Sequence, residues 1–192
     1  AQLYAASGAP RGDEFCVNKY TAGEQRFPSV AMNTTGDFVV AWQSDGQDGD
    51  DYGVYALRFS DAGAAQGDEL VVNTTTAGSS TEPSVAMHSD GDFVVVWNYW
   101  DFDPSAWGMY ARRFSPTGAA LTGEVVVAVD ISRHNVAMEA SGDFVVAWGI
   151  LFGFAQGTRA GRDAYGFYRR FDRTGVPLGP NQPIFAAETA FD

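Results

Sequence analysis

Short apolar runs, each about six residues long and near the usual strand length, alternate along this chain with segments rich in Gly, Asp, Asn, Ser and Thr. The clearest run is Phe-Val-Val-x-Trp, which occurs at Phe38 to Trp42, Phe93 to Trp97 and Phe144 to Trp148, each time directly after Gly-Asp. Its β-branched valines suit a pleated, half-buried surface. The loops before it, residues 33–36, 88–91 and 139–142, all end in Gly, which supplies the positive φ that a tight hairpin demands. No window of eleven or more residues keeps a helical period with caps. The pattern therefore predicts an all-β chain.

The runs belong to a longer repeat. Pro28-Ser-Val-Ala-Met32 returns as Pro83-Ser-Val-Ala-Met87 and, weakened, as Asn135-Val-Ala-Met138. The tryptophans that follow are 55 and 51 residues apart. A second block comes next in each copy: Tyr52-Gly-Val-Tyr-Ala-Leu-Arg-Phe59, Trp107-Gly-Met-Tyr-Ala-Arg-Arg-Phe114 and Tyr165-Gly-Phe-Tyr-Arg-Arg-Phe171. A closing block, Gly63 to Asn73, recurs as Gly118 to Val127 and loosely as Gly175 to Phe185. Two hairpins per unit make four short strands, and that unit repeated every fifty-odd residues predicts propeller-type blades, about three and a half of them. A β-trefoil-like or sandwich arrangement is the alternative. We expect one repeat domain over 1–192, with approximate units 1–51, 52–106, 107–164 and 165–192.

These motifs resemble a tandem repeat of large bacterial surface and secreted proteins, built from Pro-Ser-Val-Ala-Met, Gly-Asp-Phe-Val-Val-Ala-Trp and Tyr-Gly-Val-Tyr-Ala-x-Arg-Phe segments. The resemblance implies propeller blades and a secreted, periplasmic or cell-surface setting. The third copy departs from it, with His134-Asn135 in place of Pro-Ser and an insertion from Ile150 to Asp163. Residues 4–18 match the second and closing blocks with no first block before them, and 165–185 match them with none after. Terminal hairpins without partners would expose Phe171, Val176, Ile184 and Phe185, which predicts association with other chains or with copies of itself.

Composition narrows the partners. The 192 residues carry a net charge of −12 with 24 acids against 12 bases, so a polyphosphate partner would be repelled and no nucleic acid is expected. No run of 18 apolar residues is present, so no membrane-spanning helix is expected. Cys16 is the one cysteine, which excludes an intrachain disulfide. It sits in Phe15-Cys16-Val17 and is expected to be buried in a strand.

Candidate chemistry is sparse. Tyr99, Trp100, Phe102 and Trp107 crowd one loop with Asp101 and Asp103 between them. Ring faces beside carboxylates suit sugar recognition, where rings take C–H groups and acids take hydroxyls. Asp45, Asp48, Asp50 and Asp51 alternate with glycines and form a candidate Ca²⁺ loop. The recurring Asp37, Asp92 and Asp143 read as turn devices, and Arg58, Arg112, Arg113, Arg169 and Arg170 as salt-bridge partners of strand-end acids. No nucleophile elbow, zinc-protease helix or phosphate loop appears, so no enzyme and no cofactor beyond possible Ca²⁺ is expected. The leading expectation is a non-catalytic extracytoplasmic binding or assembly module. A carbohydrate-binding lectin, an accessory subunit or fragment of a larger surface complex, and a glycan-active hydrolase are the alternatives.

Overall fold

A computed structural model describes residues 1–129, 133–151 and 164–184. The inserted segment after Leu151 and the predicted exposure of Phe185 lie outside these residues. The chain opens on a two-stranded hairpin, β1 (Leu3–Tyr4) and β2 (Pro10–Arg11). Three four-stranded antiparallel sheets follow in consecutive order. The first holds β3 (Gln25–Met32), β4 (Phe38–Asp45), β5 (Tyr52–Phe59) and β6 (Leu70–Val71). The second holds β7 (Ser79–Met87), β8 (Phe93–Trp100), β9 (Gly108–Phe114) and β10 (Val125–Ala128). The third holds β11 (His134–Met138), β12 (Phe144–Leu151), β13 (Ala164–Phe171) and β14 (Gln182–Pro183). Among the described residues no helix is long and apolar enough to cross a membrane.

These sheets are propeller-type blades. Strand period 2 sends alternate residues to opposite faces, and both faces of each second strand are used. Phe93, Val95 and Trp97 pack on Val39, Ala41, Val54 and Ala56 of the preceding blade. Phe144, Val146 and Trp148 pack in the same way on Val94, Val96, Met109 and Ala111. Phe38, Val40 and Trp42 of the first blade are covered instead by Leu3, Phe15 and Val17 of the N-terminal segment. The second and third blades thus each lay a Phe/Val/Trp face on a Val/Ala-rich face of the blade before, and these two core clusters lie between blades. Sheets stacked in series this way are neither a trefoil nor a two-sheet sandwich, so those alternatives fall. The repeated pairs Phe38–Phe59, Phe93–Phe114 and Phe144–Phe171 stack at 5.0, 5.1 and 4.9 Å.

Three expectations need correction. The sheets span 25–71, 79–128 and 134–183, so the expected unit boundaries cut through blades. The second hairpin of the third copy is no orphan, because β13 and β14 complete the third sheet and Phe171 is buried, although Val176 and Ile184 are exposed. Cys16 is exposed, with its Sγ 3.4 Å from the Asn18 carbonyl.

Repeated polar residues tie the blades. The Glu69 carboxylate accepts from the backbone N–H groups of Lys19 and Tyr20, and the equivalent Glu124 accepts from Thr74 N–H at 2.5 Å. Asp37 and Asp143 accept from Asp61 N–H and Arg173 N–H, each at 3.1 Å, and link two turns of one blade. In the middle blade the matching residue is Pro116, which has no N–H to donate. Asp92 there pairs with the buried Arg113 at 3.1 Å. The arginines differ from expectation, since most donate to backbone carbonyls. Arg58 reaches Pro116 and Gln66 carbonyls, and Arg112 and Arg169 reach Val72 and Val127 carbonyls at 2.9 and 3.3 Å.

One link runs through a titratable ring. His88 sits between Asp90 Oδ1, 2.6 Å from Nδ1, and the Ala140 carbonyl of the next blade, 3.1 Å from Nε2. Both ring nitrogens face acceptors, and only the imidazolium donates from both. The hydrogen bond to Asp90, then that to Ala140, raises the His88 pKa above its ordinary value, against desolvation. A raised folded-state pKa means stability present below the unfolded value of about 6.5 and lost as pH rises through the folded value. Thermal melting is expected to fall as pH increases above about 6.5, and His88→Asn should flatten that segment of the curve. Identical pH profiles for both proteins would show that the ring does not link the blades.

Candidate functional site

The first strands of the blades, β3, β7 and β11, are the sheet edges that meet one another. Between them opens a cleft of about 410 Å³ lined by residues 27–29, 82–84 and 133–135. That size lies within the range of small-ligand sites, about 300–1,000 Å³. The lining is one repeat position taken three times, with the residue before each Pro-Ser or His-Asn step being Phe27, Glu82 and Arg133. Equivalent positions of the repeat thus carry an aromatic ring, an acid and a base to one place.

Local backbone makes this possible. β3 and β7 slip register between Arg26 and Ser29 and between Thr81 and Ser84. Such bulges re-aim a side chain out of the ladder. Phe27 and Glu82 take φ of 51° and 52°, the two positive values outside glycine among the described residues. Each costs on the order of 1–3 kcal/mol and persists where surroundings hold it. At Glu82 they do: its N–H donates to Gln43 Oε1 of the first blade at 3.0 Å, and its Oε2 accepts from Asn98 Nδ2 at 3.3 Å. Gln43 and Asn98 are both buried and follow the repeated tryptophans. The cleft walls are pinned across blades by Ser29 Oγ, which accepts from Val85 N–H at 3.1 Å, and by Ser84 Oγ, 3.5 Å from Asn135 Oδ1. His134 Nε2 lies 3.2 Å from the Val96 carbonyl.

The aromatic loop singled out in the sequence lies at the same end of its sheet as Glu82, because Trp100 pairs with Ser79 at the start of β7. Trp100, Phe102 and Trp107 are exposed, whereas Tyr99 is buried. The acids hold the loop together. Asp101 accepts from Tyr99 Oη at 2.9 Å and from Asp103 N–H, its carbonyl accepts from Trp107 Nε1 at 2.8 Å, and Asp103 accepts from Ser105 N–H at 2.9 Å. Burial, then the bond to Asp101, pushes the Tyr99 pKa up to about 12.

The calcium expectation is corrected. Asp45, Asp48, Asp50 and Asp51 do not converge, and among the described residues no three of His, Cys, Asp and Glu gather to hold a metal ion. Asp50 accepts instead from Gly78 N–H at 3.2 Å and Asp51 from Ser79 Oγ, both in the next blade. The Asp48 carboxylate packs against Gly53 and the Tyr55 ring, where a Cβ on Gly53 would lie 2.7 Å from Oδ2. Desolvation, then Asp48 and Glu69, pushes the Tyr55 pKa up to about 12.

No protein-family model matches the sequence, and no curated protein matches it. The fold does match solved structures. A thermostable family-43 glycoside hydrolase superposes with TM-score 0.54 at 11% identity over 90% of this chain. An endo-1,4-β-xylanase from Bacteroides thetaiotaomicron superposes with TM-score 0.49 at 10% identity over 88%. The chain spans 63% of the length of each. The expectation of a non-catalytic module and of no enzyme is corrected to this extent: the fold of this chain is one that a hydrolase uses. The missing motifs were weak ground for that expectation, for a physical reason. Glycoside hydrolysis needs carboxylates on a rigid frame, and those carry no spacing motif to find among turn acids. The all-β propeller-type fold is thereby seen in both the strand pairing and its structural neighbour.

Proposed function

We propose that this chain belongs to a glycan-active hydrolase and that the axial cleft seats the sugar, with Glu82 as a proton-transferring carboxylate. The observation that carries this reading is Glu82 itself, held in a positive-φ bulge on the axis by Gln43 and Asn98. A strained acid positioned by two buried amides fits a group whose orientation matters. The neighbouring Phe27 ring, 52% exposed, offers a face to sugar C–H groups. Hydrolysis of a glycosidic bond ordinarily uses two carboxylates, and Glu82 is the one carboxylate among the described lining residues. The exposed rings of Trp100, Phe102 and Trp107 would meet the same glycan further from the axis. An extracytoplasmic setting accords with the repeat resemblance and with a polymeric substrate.

The test is turnover of xylan- and arabinan-derived oligosaccharides by the purified protein and by Glu82→Gln. Loss of a general acid or base is expected to lower kcat about 10²- to 10⁴-fold, with melting unchanged. Turnover by Glu82→Gln at the parent rate, or none by the parent on any such glycan, would overturn the reading.

A further inference from the structure

We infer that the axial cleft takes a sugar unit bearing a carboxylate, a hexuronate, and that Arg133 selects it; this rests on the glycan reading of the same cleft. Basic side chains are few in this chain, 12 of 192 residues, and most of the described ones are engaged in holding the fold. Arg58 and Arg113 donate to turn carbonyls of the following blade, and Arg112 and Arg169 to the Val72 and Val127 carbonyls of the preceding one. Lys19, Arg26 and Arg170 pair with Asp68, Glu24 and Glu139.

Arg133 does none of this. Its carbonyl accepts from Gly149 N–H at 3.3 Å, which fixes its backbone at the start of β11. Its side chain is exposed in the cleft and, among the described residues, makes no hydrogen bond or ion pair. Glu82 lines the same cleft yet is not within ion-pair distance of it. Among the described residues, a guanidinium and a carboxylate therefore line one cavity without pairing with each other, which leaves the guanidinium open to a ligand anion.

The guanidinium fork matches a planar carboxylate through two parallel N–H···O bonds, a geometry a compact ammonium lacks. With its carboxylate on Arg133, a pyranose ring has Phe27 as an apolar face and the Asn135 amide as a hydroxyl partner in the same cleft. The net charge of −12 opposes a long polyanion. Screening over about 8 Å at physiological ionic strength leaves the nearest charges in control, so the preference applies to the unit seated on the axis.

Calorimetric titration of the whole protein with a galacturonate oligomer and with the neutral galactose oligomer of the same length tests this. The uronate is expected to bind about tenfold tighter or more, as a charge-assisted bond would give. Arg133→Met should remove that preference, Arg133→Lys should keep part of it, and added salt should shrink it. Equal affinities in the parent protein, or a preference that survives Arg133→Met, would overturn the inference. If neutral binding still responds to Glu82→Gln in that case, the glycan reading stands. Failure of both oligomers to bind would overturn the inference, while the glycan reading would still stand or fall on the turnover of xylan- and arabinan-derived oligosaccharides. A sulfated galactose oligomer bound as tightly as the uronate would refute selection by carboxylate geometry.

Discussion

Replacing Trp97 with alanine is expected to cost about 3–5 kcal/mol, the range for truncating a buried aromatic, which is a large part of the roughly 5–15 kcal/mol that holds a typical domain together. Trp97 is 1% exposed and sits in the cluster between the first and second blades. Its ring stacks on Tyr110 at 6.2 Å, so the loss removes contacts with both its own blade and the one before. Chemical denaturation followed by tyrosine or circular-dichroism signal should show the midpoint moving sharply down. A Trp97→Ala protein with the parent midpoint would mean that the blades do not rest on one another as described.

Arg113→Met should be nearly as damaging. The Arg113 side chain is 3% exposed and its partner Asp92 13%. The guanidinium ties β9 to the turn before β8 through Asp92, and to the third blade through the Arg173 carbonyl. Desolvation lowers the Arg113 pKa, with Asp92 opposing the shift. Removing one member of a buried pair leaves the other charged without a partner, at about 3–5 kcal/mol. The double variant Arg113→Met with Asp92→Asn should recover part of that loss, because the stranded charge is gone. Two losses that simply add would show that the pair is not coupled.

Much of the scaffold was legible because it obeys strict alternation. Phe38, Val40 and Trp42 against Val39 and Ala41 leave no ambiguity about which residues share a face. Blade phase was harder to read, since a tandem repeat has no marked beginning and pairing of β5 with β4 rather than with a later strand is decided by tertiary contacts. Cys16 was misjudged because its strand-like surroundings hid its position. It matches Val71 and Val126, which lie on the outward side of outermost strands and are 47% and 49% exposed. The candidate cleft was missed for a related reason. Repeat logic attends to residues that stay constant, whereas Phe27, Glu82 and Arg133 are the ones that change. The signal was present as the chemically most divergent position beside an otherwise constant Val-Ala-Met block.

The alternation of Phe/Val/Trp and Val/Ala faces also bears on how such a chain grows and diversifies. A duplicated unit carries one face of each kind, so it finds a matching surface wherever it is inserted, and the number of units can change without redesign of the core. Phe27, Glu82 and Arg133 take no part in the clusters those faces form. Their chemistry can therefore drift in each copy while the stack stays intact. Copy number and the chemistry of that position are then separate variables, and a ring, an acid and a base at one equivalent position are what that independence produces.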